Sequence, residues 1–380
     1  MDFSLNEEQK LLQKTVRDYV EENIGPKARE LDEQGHGSRE TMTELMELGV
    51  GGVFIPEEYN GVGMGFLERA LVLEEVSRHS AGIGIALMTH HLACAALVDF
   101  GNEEQKQKYL PGLATGELIG GLAVTEPGGG SDIANHKTIA VKEGDKWRIN
   151  GRKCFITNSH LADVVIVTAK TGTDEKGRTQ LSAFIIPADT PGFAPGREEN
   201  KLGLRGSSTG DVVLTDCVVG EEALLGEEGK GLRIALKTIS ETGRSGMAAI
   251  ALGILRGCLE EGTKFAKERE LYGRPLANLQ AIQFNLAETK VEYEAARLLL
   301  HSALTLKDQG VRCDVELAMA KYYATEAAVR AAKRTIDLMG GYGVIEDYPV
   351  GRFLRDAVSS IPAGGTSEIM KIIIANSLVR

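Results

Sequence analysis

The strongest constraint on this chain is a change of texture along it. Between about residues 116 and 220 short β-rich runs appear at 138–141, 147–150, 164–169, 181–187 and 212–214. Turn residues separate them, among them Glu143-Gly144-Asp145, Asn150-Gly151 and Pro191-Gly192. No helical pattern lies between these runs. A parallel nucleotide-binding sheet needs intervening helices, so the spacing predicts a small antiparallel sandwich or barrel. On both sides the pattern is helical. The expected fold class is α+β, with an N-terminal helical domain at 1–115, a β-domain at 116–220 and a C-terminal four-helix bundle at 221–380. A length of 380 residues suits two to three domains at roughly 150 residues each.

In the first segment Ser4-x-x-Glu7 reads as a capping box, because each side chain can satisfy a backbone N–H at a helix start. Leu11, Leu12, Val16, Tyr19 and Val20 then make one apolar stripe, and Gly25-Pro26 ends the helix. Further helices are expected near 40–48, 68–78, 87–100 and 103–110, the last stopping before Pro111-Gly112. In the third segment, alanine and leucine with interspersed Glu, Lys and Arg predict long packed helices near 229–270, 280–308 and 314–339. The stretch 79–98 is long enough to span a membrane and lacks Asp, Glu, Lys and Arg. It carries three histidines and two glycines, however, which suit a buried helix with its preceding loop better than a lipid-facing one.

A formal net charge of -11 argues against a nucleic-acid or anionic-membrane surface. The five cysteines are widely spaced, with no Cys-x-x-Cys, so neither a zinc site nor a disulfide framework is expected. The N-terminus opens Met1-Asp2-Phe3 and soon reaches Glu7-Glu8, unlike a signal peptide. The expectation is a cytoplasmic protein without metal or membrane insertion.

Five motifs in register carry a resemblance. They are Ala123-Val124-Thr125-Glu126-Pro127-Gly128-Gly129-Gly130-Ser131-Asp132, Phe155-Ile156-Thr157-Asn158, Glu268-Arg269-x-x-Tyr272-Gly273, Gly340-Gly341-Tyr342-Gly343 and Gly364-Gly365-Thr366-Ser367-Glu368-Ile369. Glycines at 128–130 free a backbone to approach a ligand, and Thr125 and Ser131 offer hydroxyls. Together these stretches resemble the acyl-CoA dehydrogenase flavoproteins over essentially the whole chain. The resemblance implies FAD, an acyl-CoA substrate, a homotetramer and an electron-transferring flavoprotein as electron acceptor. It places Val124, Thr125, Phe155, Ile156 and Thr157 against the flavin, and Ser131 on the pyrophosphate and CoA side. Arg269 is similar to the residue that binds FAD phosphate from a neighbouring subunit, where a planar cationic fork matches phosphate oxygens. Gln280, Asp337, Gly340, Gly341, Thr366 and Glu368 match further FAD-side positions, with Asp337 and Glu368 as carboxylates where amides are common. Glu241 and Arg244 resemble contacts to the pantetheine arm, and Gly364 lies on the substrate side.

The reaction implied removes a proton from the carbon next to a thioester and passes a hydride from the following carbon to flavin N5. It needs a base. In most family members this is a glutamate just before the Gly-Thr of the last motif; in another branch it precedes an arginine on the helix near 240. Here those positions are Gly364 and Gly243. The two glycines predict room for an alicyclic or branched acyl group, although Gly364-Gly365 could equally serve a tight turn. Aspartate bases in some relatives that act on alicyclic thioesters point to His91, or His90, as the substitute, since an imidazole titrates near neutrality. Two other readings keep the flavin: an enoyl-CoA reductase running the reverse reaction, and an oxygen-using flavoprotein of the same fold.

Overall fold

The computed structural model describes residues 4–132 and 136–379. Six helices come first: α1 (Glu7–Tyr19), α2 (Ala28–Gln34), α3 (Arg39–Met46), α4 (Phe66–His79), α5 (Ala81–Phe100) and α6 (Glu103–Thr115). The capping box at α1 is formed by Asn6 and Gln9 rather than Ser4 and Glu7: the Asn6 side chain accepts from the Gln9 N–H at 2.8 Å and the Gln9 side chain accepts from the Asn6 N–H at 3.0 Å. Asn6 caps as well as serine does, so the sequence held two candidate starts two residues apart. Val16 and Val20 are buried as the stripe requires, but Leu11 lies outside it and is 66% exposed. Pro111 does not stop α6, which runs on to Thr115. Burial of Leu110, Leu113 and Ala114 outweighs the proline's cost of about 3 kcal/mol to a helix interior.

Helix α5 takes in residues 81–98 of the charge-free stretch and starts six residues earlier than its periodicity suggested. Ser80 caps it, and all but its last three residues are buried. It is apolar enough to cross a membrane, yet here it is the central core helix, wrapped by α4, α6 and helices of the third segment.

The β-domain contains β1 (Gly120–Ala123), β2 (Ile139–Glu143), β3 (Lys146–Thr157), β4 (Val164–Thr173), β5 (Thr179–Pro187), β6 (Phe193–Glu198), β7 (Thr209–Gly220) and β8 (Leu224–Leu225). They form one sheet in the order β6-β7-β3-β2-β4-β5-β8, with β1 also on β4. The expectation of a purely antiparallel sheet is corrected: β1 runs parallel to β4 from Gly120↔Val164 to Ala123↔Val167, and β2 meets β4 parallel at Ile139↔Lys170. Strand β1 arrives from the helical domain, so its direction is set by α5 and α6 and not by a hairpin. Trp147, Ile149, Val167, Phe184 and Leu214 fill the domain's own core, with the Trp147 and Phe184 rings edge-on at 5.4 Å.

The third segment begins with α7 (Gly231–Thr238) and α8 (Arg244–Glu268), joined by a π-helical turn at Ile239–Gly243. The uninterrupted helix expected over 229–270 is therefore broken, and the break faces the cavity described below; wide helical turns often mark functional sites. A two-stranded ribbon of β9 (Glu270–Leu271) and β10 (Arg274–Pro275) leads to α9 (Gln280–Asp308), α10 (Asp314–Met339), α11 (Val350–Ser360) and α12 (Ser367–Val379). Helix α10 packs on α8, α9, α11 and α12, while α4 of the first domain packs on α8. Buried ion pairs of Glu75 with Arg17 and Arg256 tie α1, α4 and α8 together.

Candidate active site

The three domains meet around a cavity of about 840 Å³. Its walls come from α5 (Ile85, Met88, Thr89, Leu92), the β-domain (Val124, Thr125, Ser131, Phe155, Ile156, Thr157), the π-turn with its flanks (Leu236, Ile239, Gly243, Arg244) and the loop into α12 (Gly364, Gly365, Thr366). The sequence-predicted residues Val124, Thr125, Ser131, Phe155, Ile156, Thr157, Arg244, Gly364 and Thr366 are thus brought to one place.

The wall at Val124 and Thr125 is backed by a buried polar cluster that sequence reading did not single out. Lys153 is wholly buried on β3. Its Nζ donates to the Val124 carbonyl at 3.1 Å, to Glu126 at 2.8 Å and to Thr168 at 3.3 Å. Glu126 also accepts from the backbone N–H groups of Lys137 and Thr138. Burial alone would raise the Glu126 pKa, but the Lys153 and Thr138 hydrogen bonds bring it down to about 2. Burial lowers Lys153 itself to about 8. The ion pair pins the Val124–Glu126 segment where it leaves β1. Two residues beyond Lys153 on β3, Phe155 sits at a β-bulge with φ of 56°, which turns its ring out of the sheet onto the cavity. Asn158, also left-handed, donates to the carbonyls of Ala86 and Gly120 at 2.9 and 3.1 Å, locking this corner to α5 and β1.

The two histidines require a correction. Neither His90 nor His91 lies on the cavity wall; both are fully buried. Residues 85, 88, 89 and 92 form the cavity face of α5, and the next positions turn about 100° and 200° away from Thr89. The His91 Nδ1 accepts from Arg69 Nε at 3.1 Å, so its Nε2–H donates to the Val50 carbonyl at 2.8 Å. His90 Nδ1 accepts from the Gly120 N–H at 3.1 Å, and its Nε2 meets Cys94 Sγ at 3.4 Å. Burial pushes His90 down to about 4; burial, then the Arg69 charge, hold His91 well below the usual imidazole range. Their lone pairs are already committed inside the protein, so neither can take a substrate proton. The residue sequence reading passed over is Thr89, which lies on the wall and whose hydroxyl makes no hydrogen bond among the described residues.

The two glycines differ in origin. Gly364 has φ of +67° and Gly365 of +107°, conformations that favour glycine, and Lys321 donates to the Gly365 and Ile361 carbonyls from below. Gly243 has an ordinary helical φ of -71°, and a Cβ there would meet only Leu92 at 3.6 Å and Ile239 at 3.7 Å. No backbone requirement explains Gly243; it leaves space. Glu241 is not on the wall, because its carboxylate accepts from Lys307 on α9.

The remaining candidates fall on another face. Arg269 lies over the Tyr342 ring at 5.3 Å, which brings it to the Gly340–Val344 turn. Arg269, Gln280, Asp337, Gly340 and Gly341 are all exposed and absent from the cavity wall. Asp337 is paired with Lys333 one turn away, and exposed Glu368 sits in the first turn of α12. FAD fits such a division: the apolar wall of Val124, Phe155 and Ile156 with the hydroxyls of Thr125 and Thr157 suits a flat ring with a polar rim. Arg269 offers a cationic fork for phosphate, too displaced to serve the same cavity.

Comparison with known proteins agrees with this geometry. Three family models match in succession: acyl-CoA dehydrogenase N-terminal domain over residues 6–117, middle domain over 121–217 and C-terminal domain over 229–379. An acyl-CoA dehydrogenase of Bacillus subtilis (strain 168) is 41% identical over 376 residues, 99% of each chain. The acryloyl-CoA reductase (NADH) of Anaerotignum propionicum is 37% identical over 382 residues, covering 100% of this chain and 96% of that protein. The structure of butyryl-CoA dehydrogenase from Megasphaera elsdenii superposes over the full length of both chains with a TM-score of 0.97 at 38% identity. The chain belongs to the acyl-CoA dehydrogenase family, FAD-dependent oxidoreductases acting on CH–CH groups.

Proposed function

We propose that this protein oxidises the α,β carbon–carbon bond of a coenzyme A thioester whose acyl group is broader than a linear chain. The supporting observation is the single cavity that joins the flavin-facing motif residues to Gly243 and Gly364, the two places where family members carry the base. FAD, when bound, supplies the hydride acceptor. The chain's own residues do the rest. Val124, Phe155 and Ile156 flank the reacting carbons and exclude water, which strengthens every polar contact made there. Thr125, Thr157 and Ser131 offer hydroxyls along the same wall. The α-proton leaves into the space that Gly243 keeps open beside Leu92, away from the Val124, Phe155 and Ile156 wall, to water held there, with the Thr89 hydroxyl on the neighbouring face of α5.

A second reading has support from one relative, the acryloyl-CoA reductase: the same cavity serves reduction of an unsaturated thioester. The cofactor face supports a homo-oligomer. Arg269 and the Gly340–Val344 turn are remote from the chain's own cavity, and α9 carries an exposed apolar stripe of Phe284, Val291 and Leu298 at seven-residue spacing, suited to helix pairing with another copy. An electron-transferring flavoprotein is the proposed electron partner.

The test is anaerobic titration of the purified yellow protein with a panel of saturated acyl-CoA thioesters, including branched and alicyclic ones. Loss of the oxidised-flavin absorbance with at least one is expected. If unsaturated thioesters reoxidise chemically reduced protein while no saturated one bleaches it, the reductase reading replaces this one. If neither occurs, both fail.

A further inference from the structure

We propose that the acyl group carries a free carboxylate of its own, bound by Arg244, so that the substrate is the coenzyme A monothioester of a dicarboxylic acid. The inference rests on the thioester reading above and specifies it. Arg244 follows Gly243 on the cavity wall, and among the described residues no carboxylate comes within ion-pair distance of it. Its Nη1 donates to Ser240 Oγ at 2.8 Å, and Ser240 in turn donates to Asp314, whose charge is shared with Arg312. That contact anchors one end of the guanidinium. The other edge remains: among the described residues, Nε is buried without a hydrogen-bond partner and Nη2 makes no hydrogen bond. These two nitrogens form the side-on edge that pairs with both oxygens of a carboxylate.

Comparison with the other charged groups isolates Arg244 further. Buried Arg69 uses all three of its nitrogens, on His91, Ser245 and the Thr242 carbonyl. Lys201, also on the cavity wall, is committed to Ser207 and Thr209. The Arg244 side chain is half-buried, and its buried Nε lacks a protein partner, a cost that an anion reaching this edge relieves. The space to receive one lies alongside: Gly243 and Gly364 both line the cavity next to Arg244, and neither brings a side chain into it. Leu92 and Ile239 border that space. A small planar anion at the end of a hydrocarbon chain fits such surroundings.

The experiment is calorimetric titration of the FAD-loaded protein with chain-matched pairs: succinyl-CoA against butyryl-CoA, glutaryl-CoA against valeryl-CoA, adipoyl-CoA against hexanoyl-CoA. At least one dicarboxylic member is expected to bind about 10-fold or more tightly than its partner, as a charge-assisted bidentate contact supplies. In Arg244→Gln that preference is expected to vanish, and in Arg244→Lys to shrink. Equal or weaker binding of every dicarboxylic member in the wild-type protein overturns the proposal, and that comparison needs no variant. A preference that survives Arg244→Gln in folded, FAD-loaded protein overturns it too. Failure of all thioesters of both kinds to bind instead overturns the underlying thioester reading.

Discussion

Placing a glutamate at Gly243 should convert this protein into a faster dehydrogenase for ordinary saturated thioesters, and Gly364→Glu should do so less well. At 243 the backbone is helical and the nearest neighbours of a new Cβ stand at 3.6 and 3.7 Å, ordinary contact distances. Replacing an interior helical glycine also recovers about 0.5–1 kcal/mol of backbone entropy. The buried carboxylate is opposed by desolvation but has Arg244 beside it with unmet donors. At 364 the backbone has φ of +67°, which costs an L-residue about 1–2 kcal/mol. There the Cβ also meets Met247 Cγ at a tight 3.3 Å. A positioned general base is worth about 10²–10⁴ in rate, or roughly 2.7–5.4 kcal/mol of barrier. The assay is stopped-flow loss of flavin absorbance with butyryl-CoA under anaerobic conditions, beside thermal melting of each variant. Gly243→Glu is expected to speed reduction by about 100-fold or more with stability near wild type; Gly364→Glu should melt earlier and gain less. Gly243→Glu protein that holds FAD and binds thioester yet shows no faster reduction would refute the assignment of this gap to the proton's path.

Other expectations follow from the same contacts. His91→Ala should cost about 2–4 kcal/mol of stability, by stranding the Arg69 Nε and the Val50 carbonyl, while leaving the reduction rate per bound flavin unchanged; denaturant melts and stopped flow check both. Lys153→Met removes one partner of the buried Glu126 pair and should cost about 3–5 kcal/mol, with lower FAD content by the ratio of flavin to protein absorbance. The Glu126 carboxyl lies below its ordinary value when folded, so its contribution is fully present above about 4.5 and is lost as pH falls toward 2. Thermal melts of wild type should therefore drop across that window more steeply than those of Glu126→Gln. Changing Phe284, Val291 and Leu298 together to serine should dissociate the oligomer and release FAD, read by sedimentation and by flavin absorbance.

The gross plan was legible because it depends on local pattern: helical periodicity, turn residues and short β-rich runs report the same chain that later folds. The motif at 124–131 and 155–158 was legible through its resemblance to a known family. The parallel placement of β1 was not, because strand direction there is inherited from helices that precede it. Nor was the fate of the histidines: sequence placed 89, 90 and 91 together, but only packing decides which third of a helix faces a cavity, and one step of about 100° exchanged an imidazole for the Thr89 hydroxyl. The glycines show the same division. Sequence placed glycine at both positions where the family resemblance implies a carboxylate; tertiary structure decided that Gly364 answers a backbone requirement, whereas Gly243 leaves open space beside Arg244. Residue identity is written locally, while burial, direction and the pairing of distant charges exist only once separate elements have packed.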